Sequence, residues 1–173
     1  MSDYGVCSVS KVYQSEPFLM NINGQSVQLQ YTPAESDLGM FGGNSNWREP
    51  IWMPVNYLLI ESLLKFHAYY GDDFRVECPV SLGEFLSLRE VALMFLSRLS
   101  QLFMPNTEGV DSQQEAPNQG RRPIHSLNLE YKTDANFKDL VLFYEYFDGD
   151  TGRGVGASHQ TGWTGLIAEL LFN

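Results

Sequence analysis

The sequence predicts a mainly α-helical chain with one β-hairpin and long loops. Three observations carry this. Apolar residues recur at helical spacing in three stretches, an Asn-Gly pair divides two runs rich in β-formers, and two long polar segments show no period. At 173 residues the chain is long enough for one domain around one core. It is 43% hydrophobic and 18% charged, which is globular rather than disordered, and with 13% aromatic residues its core is expected to be rich in rings.

Residues 1–16 carry no strong pattern. Phe18-Leu19-Met20-Asn21-Ile22 and Val27-Gln28-Leu29-Gln30-Tyr31 flank Asn23-Gly24. An Asn-Gly pair supplies the two positive-φ positions of a tight hairpin turn, so these runs are expected to pair. Thr32 to Asn46 is rich in Gly, Ser and Asn and reads as a loop. A helix is expected to open near Pro50 or Pro54, where a missing N–H is harmless. Its apolar positions are Val55, Leu58, Leu59, Leu63 and Phe66, and Gly71 ends it.

Ser87-Leu88-Arg89-Glu90 is a capping box, in which the Ser oxygen and the Glu carboxylate each take up an orphan N–H. The stripe behind it is Leu88, Val91, Phe95, Leu99 and Leu102, stopped at Pro105. Residues 105–136 are polar and read as a long surface loop. Leu140-Val141-Leu142-Phe143-Tyr144 fits a buried strand or a short helix equally. The run from Asp148 to Gly156 is turn-rich, and Leu166, Ile167, Leu170 and Leu171 set a last helix. No internal repeat is present.

The formal net charge of −10 argues against nucleic acid and against anionic lipid, both of which select basic surfaces. No apolar run is long enough to span a bilayer, and the first residues lack the apolar core of a signal peptide. Two cysteines, Cys7 and Cys78, make no disulfide framework and fit free thiols in a reducing, cytoplasmic setting.

Glu145 is the main candidate for chemistry. It stands within Phe143-Tyr144-Glu145-Tyr146-Phe147. Apolar neighbours desolvate a carboxylate and raise its proton affinity, which suits a general base. The alternative is a rim glutamate facing water or paired with an arginine. Asp148-Gly149-Asp150-Thr151-Gly152 opens like a calcium loop, but Arg153 and His159 stand where Gly and Glu are required. It reads as a turn of Asx and Gly residues. Gly152-Arg153-Gly154-Val155-Gly156 is not a nucleotide fingerprint; its glycines suit a close approach of backbone to a neighbour. Adjacent Ser158 and His159 do not present a nucleophile to a base. His67, His125 and His159 lack metal-ligand spacing. Trp47 with Arg48, Trp52 and Trp163 have the chemistry of a sugar site, since indole faces stack on sugar C–H faces and guanidinium forks bond hydroxyls. For Trp52, core packing explains the residue equally well.

Two blocks resemble a known family. The first is Asn44-Ser45-Asn46-Trp47-Arg48-Glu49-Pro50-Ile51-Trp52-Met53-Pro54-Val55-Asn56-Tyr57-Leu58. The second runs from Phe143 to Gly152 and resumes at Gly156-Ala157-Ser158-His159-Gln160-Thr161-Gly162-Trp163-Thr164. In this order they resemble signatures of glycoside hydrolase family 63, which includes mannosyl-oligosaccharide glucosidases and mannosylglycerate hydrolases. The resemblance covers the chain from about Pro17 to the end.

The resemblance implies that residues 1–173 are the C-terminal segment of a catalytic domain, a partial (α/α)6 toroid of the six-hairpin glycosidase type. It implies an inverting α-glycosidase acting on a carbohydrate without metal or organic cofactor, with Glu145 as general base. Trp47, Arg48, Trp52, Asn56, His159, Gln160 and Trp163 would contact substrate. An inverting pair of carboxyls stands roughly 6.5–9.5 Å apart, leaving room for the attacking water. Two departures stand out. Glu49 replaces the family's usual Gly, and no segment of residues 1–46 matches the motif of the general acid. The chain alone is therefore expected to be inactive, with the N-terminal part of the catalytic domain as its partner. The competing expectation is a noncatalytic carbohydrate-binding or interaction module.

Overall fold

A computed structural model describes residues 2–7, 9–34, 50–80, 82–106, 120–126 and 128–172. Strands β1 (Phe18–Ile22) and β2 (Gln25–Leu29) form the expected hairpin, with Ile22 opposite Gln25. Asn23 (φ 53°) and Gly24 (φ 80°) make the turn, as a two-residue loop with two positive φ angles requires. Every residue of β1 is exposed, so this hairpin adds little to the core.

Helix α1 (Met53–Tyr70) starts with Pro54 in its first turn. Gly71 closes it at φ 77°, its N–H donating to His67 O at 2.8 Å. A short antiparallel pair, β3 (Arg75–Glu77) with β4 (Phe85–Ser87), leads into α2 (Leu88–Gln101). The capping box is formed at both ends. Ser87 N–H donates to Glu90 Oε2 at 2.7 Å, and Glu90 N–H donates to Ser87 Oγ at 3.3 Å. The stripe of α2 is the expected one: Leu88, Val91, Phe95, Leu99 and Leu102 are all buried.

The buried face of α1 is different from the expected one. Leu59 and Leu63 pack against the core, but Val55, Leu58 and Phe66 are exposed. Met53, Asn56 and Ile60 are inside instead. After a one-turn 3-10 helix at Pro123–His125 come α3 (Glu130–Thr133), the antiparallel pair β5 (Tyr146–Phe147) and β6 (Gly154–Val155), α4 (Thr161–Thr164) and α5 (Leu166–Phe172). Helices α1 and α2 pack on each other and on α5. Ile51, Met53, Ile60, Phe95, Leu99, Ile124 and Phe147 fill the core they share.

This architecture corrects the expectation of a mainly α, partial (α/α)6 toroid. Among the described residues, two long helices and three short ones stand with three two-stranded antiparallel pairs, a mixed α/β fold. The physical reason lies in residues 143–160. Their β-formers and turn residues run as extended backbone, and Phe147 enters the core from a strand rather than from a helix. No helix of the described residues is long and apolar enough to cross a membrane.

Candidate active site

Glu145 stands just before β5, and this segment is held on both edges. On one side Glu145 N–H donates to Ala157 O at 2.9 Å, and the pairing continues as Tyr146 with Val155 and Phe147 with Gly154. On the other side Phe147 exchanges two backbone hydrogen bonds with Ile51. Upstream, Gln160 N–H donates to Phe143 O at 2.8 Å, and the buried Thr164 hydroxyl donates to Tyr144 O. His125, buried, reaches Leu140 O through Nε2 at 3.0 Å. A carbonyl only accepts, so Nε2 carries the proton. Burial holds the His125 imidazole below its ordinary pKa and keeps it neutral.

The Glu145 side chain is half-buried. Its Oε2 accepts the Ala157 N–H at 3.2 Å, so the carboxylate folds over its own hairpin. Gly156 makes this possible. A Cβ there would stand 2.6 Å from Glu145 Oε2 and 2.9 Å from Glu145 Cβ, and its φ is +74°. Gly154 does the same for the Tyr144 ring, which lies 2.1 Å from where a Cβ would be. The glycine-rich run thus allows a close approach, and what approaches is the chain's own side chains. Burial raises the Tyr144 phenol above its usual pKa. No arginine or lysine pairs with Glu145 among the described residues.

Trp52 is 3% exposed and packs against Tyr146 (centroids 4.8 Å, interplanar 31°), with Trp163 edge-on at 6.2 Å. Together with Ala34 and Val155 they make a small second core on which the Glu145 hairpin rests. Packing therefore accounts for Trp52. Trp163 is half-buried. Asn56, 1% exposed, spends its amide on main chain: Nδ2 donates to Val6 O and Trp52 O, each at 3.0 Å, and Oδ1 accepts Val6 N–H at 2.8 Å. Its side chain clamps the N-terminal segment. His159 and Gln160 are exposed, with their backbone next to Phe143. Trp47 and Arg48 lie outside the described residues.

The structure thus brings Trp52, Trp163 and the strand after Glu145 together, while the Asn56 amide is taken up by main chain. Sequence reasoning missed Thr164 and Ala157 as partners of this strand, because both act through pairings between distant positions that no local pattern announces. The Asp148 turn was legible: Oδ1 accepts N–H from both Asp150 and Thr151 at 2.9 Å. Two cavities are described, of about 360 and 190 Å³, and Glu145 lines neither. Among the described residues no three His, Cys, Asp or Glu side chains gather as a metal site would require.

No family model matches the chain. Over 173 residues, 99% of its length, it is 51% identical to an uncharacterized protein of Saccharomyces cerevisiae, YMR196W, and it spans 15% of that protein. It is 25% identical over 132 residues (76% of the chain, 11% of the relative) to the mannosyl-oligosaccharide glucosidase of the same yeast. A probable mannosyl-oligosaccharide glucosidase of Schizosaccharomyces pombe is 24% identical over 133 residues, 75% of the chain and 11% of the relative. The chain is distantly similar to mannosyl-oligosaccharide glucosidases over about three quarters of its length.

Proposed function

We propose that the chain is part of an inverting α-glycosidase of the family 63 kind, and that Glu145 is its general base. One observation carries the reading. The Glu145 carboxylate is half-buried, free of any cationic partner among the described residues, and oriented by the Ala157 N–H at 3.2 Å. One oxygen is thereby held, and the other takes the proton of a water that attacks the anomeric carbon. Trp163 contributes to the sugar-facing surface and packs on Trp52 and Tyr146; the resemblance adds Trp47 and Arg48 as substrate contacts.

An Asp general acid stands on a stretch of polypeptide outside residues 1–173, so these residues are one segment of a larger catalytic domain. That the chain spans 15% or less of its relatives supports this reading. The substrate is an α-linked glucoside, and neither metal nor organic cofactor takes part. The cytoplasm is the setting we infer, with Cys7 and Cys78 as free thiols.

A second reading, a noncatalytic carbohydrate-binding or interaction module, has one observation in its favour: neither described cavity is lined by Glu145. The test is Glu145→Gln in the polypeptide that joins residues 1–173 to the acid-bearing stretch. We expect hydrolysis of an α-glucoside to fall by about two to four orders of magnitude, the usual worth of a general base, with sugar binding retained. Unchanged turnover, or sugar binding without any turnover in the unaltered protein, removes the catalytic reading.

A further inference from the structure

The larger cavity, about 360 Å³, lies at the other end of the hairpin from Glu145, where Thr151 of the turn forms part of its wall. The adjacent Arg121 and Arg122 line it together with Tyr4, Asn106 and Ser126. Two cationic side chains lining one cavity favour an anion within it. Neither joins an ion pair among the described residues, where the cations in pairs are Lys11, His67 and Arg75. The Nε of each is buried with no hydrogen-bond partner. Buried donors without partners are costly, and native proteins rarely leave them so.

Among the described residues, the acids of the neighbouring turn are already engaged. Asp150 pairs with Lys11 at 2.7 Å and accepts from Tyr31 at 3.2 Å, and Asp148 Oδ1 is taken by two backbone N–H groups. Arg122 is fixed in place by Nη1 donating to Phe103 O at 3.1 Å. The volume lies in the range of small-molecule pockets, roughly 300–1,000 Å³. The Ser126 and Thr151 hydroxyls line the same cavity and can bond hydroxyls of a ligand.

We propose that this cavity binds a small hydroxylated ligand bearing an oxyanion, a carboxylate or a phosphate, with Arg121 and Arg122 as its anion-binding residues. It is a site separate from Glu145 and does not depend on the glycosidase reading. Isothermal titration of the full chain with glucose 6-phosphate, gluconate and glucose at constant ionic strength tests it. We expect saturable binding of at least one charged sugar, none of glucose, and about tenfold or greater weakening in Arg121→Gln. Which charged sugar binds identifies the oxyanion. Because Arg122 also supports the Phe103 carbonyl, Arg122→Lys is the second variant, expected to melt like the unaltered chain and to bind more weakly through loss of the planar fork. Absence of saturable binding by both charged sugars, equal binding of glucose, or affinity unchanged in both variants overturns the proposal.

Discussion

Ile51 and Phe147 exchange both of their backbone hydrogen bonds, Ile51 N–H to Phe147 O at 2.8 Å and Phe147 N–H to Ile51 O at 3.0 Å. Both side chains are fully buried. This bridge joins the segment that opens α1 to the strand that follows Glu145, and the Trp52 and Tyr146 rings, tilted at 31°, repeat the joint one residue further on. Whatever Glu145 does, its position is set by the helical core through these two contacts.

The carboxylate's seat depends on the missing side chain at Gly156. A Cβ there meets Glu145 Oε2 at 2.6 Å at a φ of +74°. Gly156→Ala is expected to cost about 1–3 kcal/mol, from backbone strain and from displacement of Glu145. Urea denaturation measures it. A stability equal to the unaltered chain would mean that the hairpin accommodates a methyl group and that Glu145 is not tightly seated.

Leu99 and Leu58 test which helix faces are inside. Leu99 is 0% exposed and Leu58 is 63% exposed. Leu99→Ala is expected to destabilise the chain by about 2–5 kcal/mol through the cavity it leaves. Leu58→Ala should stay within about 0.5 kcal/mol. Similar losses at both positions, read by the same denaturation, would contradict this assignment of the faces.

These two leucines also show what the sequence makes legible. Asn23-Gly24 and the Ser87–Glu90 box are local chemistry, so their hairpin and helix start stand where expected. The stripe of α2 is legible because its one apolar face meets the core. The face of α1 is not, because apolar residues lie on several of its sides. Asn56 is inside because the backbone of Val6 occupies its amide, a contact from far along the chain. Leu140 to Tyr144 suited a buried strand or a short helix and forms neither: it has no regular element beyond one bridge from Phe143 to the distant His159. The toroid is what the family resemblance implies, and the three two-stranded pairs among the described residues contradict it.

The capping box carries a pH dependence. Hydrogen bonding from the Ser87 N–H holds the Glu90 carboxyl below its ordinary pKa. A carboxyl lowered on folding contributes stability above the ordinary carboxylate range and loses it as pH falls through the lowered value. Glu90→Gln should therefore flatten the acid limb of the stability–pH curve. Ser87→Ala should cost about 1 kcal/mol at neutral pH. Denaturation midpoints between acid and neutral pH measure both effects, and an acid limb unaltered in Glu90→Gln would contradict the first.

Cys7 is expected to be a slow thiol. Burial raises its pKa from 9.0 to about 11, with the Tyr31 hydrogen bond opposing the shift. The reactive thiolate is then scarce near pH 8. A proton held more tightly in the folded state stabilises it fully below pH 9.0, and the benefit is lost as pH rises towards about 11. Alkylation timed by mass spectrometry should find Cys7 modified far more slowly than in the urea-unfolded chain. Equal rates would refute its burial.

The most direct test is the anomer released at the first turnover by the polypeptide that joins this chain to an acid-bearing stretch. Proton NMR of the product from an α-linked glucoside should show β-glucose appearing first, and Glu145→Gln should abolish that signal. Initial release of α-glucose, or β-glucose formed at an unaltered rate by Glu145→Gln, would contradict Glu145 as the base of an inverting hydrolysis.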